Sequence, residues 1–298
     1  MIEDFKDNGN DGDIENRYQF RVRKFSIMPK QKSRNTDKDV EYTLTKAGHD
    51  EFCFLCEEEF LPTENIYPCR ICTRAFHKHC LLSCKQCMQA DKDCIERSQT
   101  NTGWSCYLCA DLSLLLTDEE TKQLIEVFDQ IDVDHDSVIS LEEFVNYKTK
   151  TMHLASAEHG REQLVLQFRK IDLDKDGSLH WWEFISHEAK LLLAKRSTDT
   201  LLDMLTEKEI VHAKAIFSRM DEDHDGMITH KHALMAYKDW YTKLYSPKEG
   251  HVTHTLDVRA GVAAKMVMDH DKTNTGTVSW ADFISGQALY IICARPNI

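Results

Sequence analysis

The sequence predicts a mostly α-helical chain headed by a small module that metal, rather than apolar burial, holds together. Three observations carry this. Ten of the eleven cysteines fall between Cys53 and Cys109, in a segment with little helical periodicity. From Thr117 onward apolar residues recur at helical spacing behind two capping boxes, Thr117 with Glu120 and Thr206 with Glu209. Within that helical part, an acidic twelve-residue frame repeats four times.

The chain of 298 residues suggests about two domains. Its net charge of -13 repels a phosphate backbone, so DNA is not an expected partner. No apolar run approaches the roughly 18 to 20 residues of a membrane helix, which excludes a helical transmembrane segment. The start shows no signal-peptide pattern and no glycine after Met1 for myristoylation, so the expected location is cytoplasmic, with membrane association through a partner, and the nucleus as the alternative. In a reducing compartment clustered Cys-x2-Cys pairs mean metal rather than disulfides.

Met1 to Asn16 carries six acids against Lys6, and Arg17 to Lys38 carries eight bases against Asp37. This segment, with the rest of 1–49, is expected to be disordered. The basic stretch reads either as a solvated tail or as a localisation or anionic-surface signal, and carries no assigned function.

Over 50–112 the ligand order is Cys53-x2-Cys56-x12-Cys69-x2-Cys72-x4-His77-x2-Cys80, then Cys106-x2-Cys109. Each Cys-x2-Cys pair places two thiolates of one tight turn on one ion, and eight ligands make two tetrahedral zinc sites. Four cysteines, one histidine and three cysteines is the order of a PHD finger. A RING finger would place its histidine fourth. Trp104, two positions before Cys106, occupies the place of the PHD finger's buried tryptophan. By resemblance to that family's interleaved bracing, Cys53, Cys56, His77 and Cys80 hold one zinc, and Cys69, Cys72, Cys106 and Cys109 the other. Cys84, Cys87 and Cys94 remain, either free thiols or, with His79, a third site. A trimethyl-lysine cage needs an aromatic face two residues before the histidine, where this chain has Ala75, and Arg70 and Arg74 stand where acids would meet an unmodified basic tail. A histone tail is therefore not the expected ligand.

The first EF-hand pair is expected over 113–196 and the second over 197–298, with breaks at Ser197 to Asp199 and Ser246 to Thr255. The first loop presents Asp132, Asp134, Asp136, Ser140 and Glu143, with Ser137 where a left-handed turn favours glycine. The second presents Asp172, Asp174, Asp176, Gly177 and Glu183, with His180 at the position that often holds a water. These two loops are the expected calcium sites. The third has Asp221, Asp223, Asp225, Gly226 and Thr229, yet His232 replaces the terminal glutamate, so it is expected to be weak or empty toward calcium. The fourth, from Asp271 to Asp282, is expected to be empty. Phe128, Phe168, Phe217 and Val267 all stand four residues before a loop, and Ile139, Leu179, Ile228 and Val278 fill the position that joins loops in pairs. Trp181, Trp182, Met204, Met235, Trp240 and Trp280 are expected to be mostly core, or, where an EF-hand pair opens, in part to line a groove for an amphipathic helix.

The fold class is thus mostly α, a small two-zinc PHD finger followed by two EF-hand pairs. Tyr67 to His77, Thr102 to Cys106, Leu114 to Glu120 and Leu289 to Asn297 resemble the PHD finger protein 24 family, the Gα inhibitory interacting proteins. The resemblance implies a neuronal, non-enzymatic adaptor that binds GTP-loaded inhibitory Gα subunits and tunes GABA-B receptor signalling. Intact calcium loops would be an addition to that family's pattern. Two other readings stand beside it, a nuclear chromatin reader and a RING-like ubiquitin ligase; the ligand order argues against the ligase.

Overall fold

The computed structural model describes residues 48–84, 97–98, 103–151, 158–244 and 252–297. Residues 1–47 of the expected disordered segment, and Cys87 and Cys94 of the candidate third zinc site, lie outside them. Everything described here belongs to one compact unit. Among the described residues no helix is long and apolar enough to cross a membrane.

The finger contributes two strands, β1 (Ile66–Pro68) and β2 (Ala75–His77), paired antiparallel with Tyr67 opposite Phe76, and two short helices, α1 (Lys78–Ser83) and α2 (Tyr107–Ala110). Its apolar core is small: Tyr67, Ile71, Phe76, Leu81 and Trp104 are buried, and the Phe76 and Trp104 rings meet edge-on at 5.8 Å. With so few apolar residues inside, Cys53, Cys69 and Cys106 supply part of the remaining buried volume, as expected of a domain whose cohesion comes from metal.

The helical part begins at α3 (Asp118–Ile131). Thr117 accepts from the Glu120 amide, and Glu120 returns the bond to the Thr117 amide at 2.7 Å, so two of the helix's free donors are satisfied. After the first loop come β3 (Val138–Ser140) and α4 (Leu141–Thr151), then α5 (Glu158–Ile171), β4 (Ser178–His180) and α6 (Trp181–Leu193). Ile139 and Leu179 face each other across β3 and β4, both fully buried. Around them pack Phe128, Phe144, Phe168 and Phe184, the phenylalanines that flank the loops. Truncating any of these to alanine would cost about 3–5 kcal/mol.

A short helix, α7 (Thr198–Asp203), capped by Ser197, fills the first expected break. The second pair repeats the plan: α8 (Glu207–Met220), β5 (Met227–Thr229), α9 (His230–Leu244), α10 (Val252–Met268), β6 (Thr277–Ser279) and α11 (Trp280–Ala294). Thr206 and Glu209 form the second capping box, and Ile228 faces Val278. The second expected loop is shorter than its sequence suggested, since the chain is already helical from Val252. Met235 and Trp240 fall outside the core set: both are about half exposed, on α9, and the pair's core is closed by Phe217, Val267 and Phe283 without them.

A third core joins the parts. Leu112, just after the finger, packs with Ala189 and Leu193 of α6, Leu201, Ala213, and Ile284, Ala288 and Ile292 of α11. At its edge Arg295 grips Glu209 with two bonds of 2.8 Å and also donates to the Met204 carbonyl. Both partners are buried, so removing either one leaves an uncompensated charge, a loss of about 3–5 kcal/mol.

Candidate metal centres

The cysteine turns and β2 bring the eight expected finger ligands into two groups, Cys53, Cys56, His77 and Cys80 in one, Cys69, Cys72, Cys106 and Cys109 in the other. In the first, His77 Nδ1 stands 3.3 Å from Cys56 Sγ and 3.8 Å from Cys80 Sγ. Its Nε2 lies 3.3 Å from a Glu64 carboxylate oxygen, the outer partner that orients a metal-binding imidazole. In the second, Cys72 and Cys106 sulfurs are 3.9 Å apart. Two thiolates on one tetrahedral zinc, each at about 2.3 Å, stand about 3.8 Å apart, so the sulfurs fit the ion.

Hydrogen bonding prepares the sulfurs for charge. Amides of Ile71 and Cys106 donate to Cys69 Sγ at 3.3 Å, and the Arg74 guanidinium donates to Cys72 Sγ at 3.4 Å. Burial pushes the Cys53 thiol up, but amide bonds from His77, Cys56 and Leu55 more than reverse it, to about 7. Burial, then the neighbouring Cys56 and Cys53, push Cys80 up to about 12. Hydrogen bonds from Cys106 and Cys109 hold Cys72 far below the usual thiol range, while Cys109, Cys69 and Cys72 drive Cys106 well above it. Neighbouring thiols thus compete for one negative charge, and a divalent cation shared by all four ends that competition.

The loops between helices carry the other expected ligands. In the first, oxygens of Asp132, Asp134 and Asp136 come together, and Ser137 holds φ 72° where glycine stands in the other loops. Glu143 spans the loop, accepting from the Val133 amide at 2.8 Å and from the Ser140 amide and hydroxyl at 2.9 and 2.7 Å. Burial raises the Glu143 carboxyl, and these Ser140 and Val133 bonds outweigh it and keep the group below the usual range. In the second loop Asp172 Oδ2 accepts from the Gly177 amide at 3.2 Å, while its Oδ1 is buried without a hydrogen-bond partner. Glu183 is buried and accepts from the Leu173 and His180 amides at 2.7 and 3.0 Å. An orphaned carboxylate oxygen at the first position, opposite a fixed glutamate, fits a hard oxygen-bound cation such as calcium. The tight group in this loop is Asp174, Asp176 and His180. His180, at the loop position that often holds a water, pairs its Nε2 with Asp176 Oδ2 at 2.9 Å.

The fourth loop turns its carboxylates inward on itself. Asp271 accepts from Gly276, Thr273 and Thr275, and Asp282 accepts from the Ser279 hydroxyl at the start of α11. The third differs, with His232 in place of a closing carboxylate.

A cross-braced two-site zinc finger followed by paired EF-hand loops is the class that this geometry defines. Residues 46–119 match the family model described as KIAA1045 RING finger, and residues 115–187 match the one described as EF-hand domain pair. The chain is a RING-like zinc finger followed by an EF-hand pair, although its histidine is fifth among the eight ligands rather than fourth. Those matches end at residue 187; the second pair stands on the β5–β6 pairing and its capping box.

Proposed function

We propose that the protein is a non-enzymatic signalling adaptor, stabilised by two zinc ions and binding calcium at its first two loops through Asp132, Asp134, Asp136, Ser140 and Glu143, and through Asp172, Asp174, Asp176 and Glu183. Its partner is an inhibitory Gα subunit in the GTP form, and its output the modulation of a GABA-B type receptor. The observation that supports the non-enzymatic part is that each finger quartet supplies four ligands, a full tetrahedral shell with no open coordination position for catalysis.

The partner rests on the resemblance of Tyr67 to His77, Thr102 to Cys106, Leu114 to Glu120 and Leu289 to Asn297 to the Gα inhibitory interacting proteins. Exposed apolar side chains on the second pair, Met235, Trp240, Val262 and Met266 among them, are consistent with a protein-binding face. Immobilised full-length protein should retain purified inhibitory Gα loaded with a GTP analogue and release it when the nucleotide is GDP.

The RING description of the matching family model favours a second reading, ubiquitin ligation, which an autoubiquitination assay separates from the first. A histone-peptide array separates the chromatin reading.

A further inference from the structure

The third loop, expected to be weak or empty, is built differently from the other three. His232, the first-turn residue of α9 that stands where calcium loops carry glutamate, turns its ring into the loop: Nε2 lies 3.6 Å from Asp223 Oδ2, and the imidazole is mostly buried. A carboxylate oxygen of Asp221, one of Asp223 and a His232 ring nitrogen all lie within 4.8 Å of one another. Asp221 is itself buried, 6% exposed. Its Oδ2 accepts from the Gly226 amide at 3.0 Å, and its Oδ1 is buried with no hydrogen-bond partner. Asp172 leaves the same oxygen unpartnered at the same position of the second loop. A buried carboxylate oxygen without a donor is costly unless a cation meets it.

Calcium is a poor match. It takes six to eight oxygens and relies on a bidentate glutamate at the last loop position, whereas His232 offers one nitrogen. Zinc-class cations are satisfied by about four ligands at roughly 2.0–2.2 Å, accept carboxylate oxygen, and favour imidazole. The 3.6 Å separation of Nε2 and Oδ2 suits two ligands on one such ion.

We propose that Asp221, Asp223 and His232 form a third metal site, selective for an imidazole-preferring divalent cation of the zinc class over calcium. The site is independent of the finger quartets and of any protein partner. When the cation binds Nε2, the ring proton resides on Nδ1, and the long 3.5 Å contact from the Thr229 amide to Nδ1 opens.

Capping is the competing role for His232, since its own amide donates to Thr229 Oγ1 at 3.2 Å and the Thr229 amide faces its ring. His232→Glu keeps that cap, as a Thr-x-x-Glu box, and changes only the ligand. Asp223→Asn leaves the cap untouched and alters an exposed side chain. Full-length protein with its finger zinc in place is titrated with Zn2+ and, separately, with Ca2+ by calorimetry. Wild type should bind one more Zn2+ than His232→Glu, and that variant should gain one Ca2+. Asp223→Asn should weaken the additional Zn2+ by at least the roughly tenfold to hundredfold that losing an outer partner of a metal ligand costs. Equal Zn2+ stoichiometry and affinity in wild type and either variant overturns the site, whatever other loops bind.

Discussion

Lys208, in the first turn of α8, donates to the backbone carbonyl of Cys72 at 2.8 Å and to that of Cys69 at 3.1 Å. The turn that supplies two ligands to the second finger quartet is therefore held by a helix of the second EF-hand pair. Burial holds the Arg70 guanidinium of the same turn below its usual range, against the opposing charge of Glu209, one residue beyond Lys208. The finger and the second pair are joined through these two bonds.

Lys208→Met keeps the aliphatic packing and removes the donor, leaving two carbonyls without their partner. Global stability should fall by about 1–3 kcal/mol in a denaturant titration, with faster zinc release to a chelator. Unchanged release kinetics would mean that the finger holds its shape without α8.

Cys106→Ser removes one sulfur of the second quartet. Structural zinc contributes on the order of 10 kcal/mol, so this finger should unfold while the helical signal persists. Elemental analysis should find two finger zincs in wild type when the third loop is left unloaded. A lower count contradicts the pairing of quartets.

Glu143 and Glu183 each close one loop by spanning its amides. Glu143→Gln and Glu183→Gln keep the size but lose the bidentate charge, and each should remove one calcium site in calorimetry. A variant that retains both sites rules out its glutamate as a ligand.

His187 on α6 buries its Nε2 without a partner, and burial, set against nearby Glu188 and reinforced by Lys148 and Lys190, holds its pKa below the usual histidine value. The unfolded chain then binds the proton more readily than the folded one, so stability contributed by the neutral ring is present above the unfolded pKa of about 6.5 and is lost as pH falls below it. His187→Leu should flatten part of the decline in unfolding midpoint between pH 7 and pH 5; an unchanged slope assigns that decline to other groups.

The parts legible in the sequence are those fixed by local spacing. The capping boxes at Thr117 and Thr206 and the positive φ at Ser137 follow from residues a few positions apart, the Ile139–Leu179 and Ile228–Val278 pairs from the repeated loop frame, and the two quartets from Cys-x2-Cys spacing together with the resemblance to PHD bracing. What spacing does not encode is where a side chain turns once its backbone is placed. His180 reads as a substitute for water and instead pairs with Asp176; His232 reads as a lost ligand and instead faces Asp223. Lys208 carried no signal at all, because its partners are carbonyls 136 and 139 residues away. Residue type likewise does not sort Met235 and Trp240 between core and groove, and the arrangement of α9 leaves both exposed.

The proposed adaptor role toward an active inhibitory Gα subunit is open to one affinity measurement. Full-length protein is titrated with purified inhibitory Gα, carrying GDP or a GTP analogue, at zero and at saturating calcium. Tighter binding of the GTP-analogue form is the predicted result, because the γ-phosphate orders the switch segments that a state-selective partner reads. If the first EF-hand pair is coupled to that surface, calcium changes the Gα affinity, and Gα changes the calcium affinity by the same factor. Equal affinity for the two nucleotide states, or no binding to either, would contradict the account.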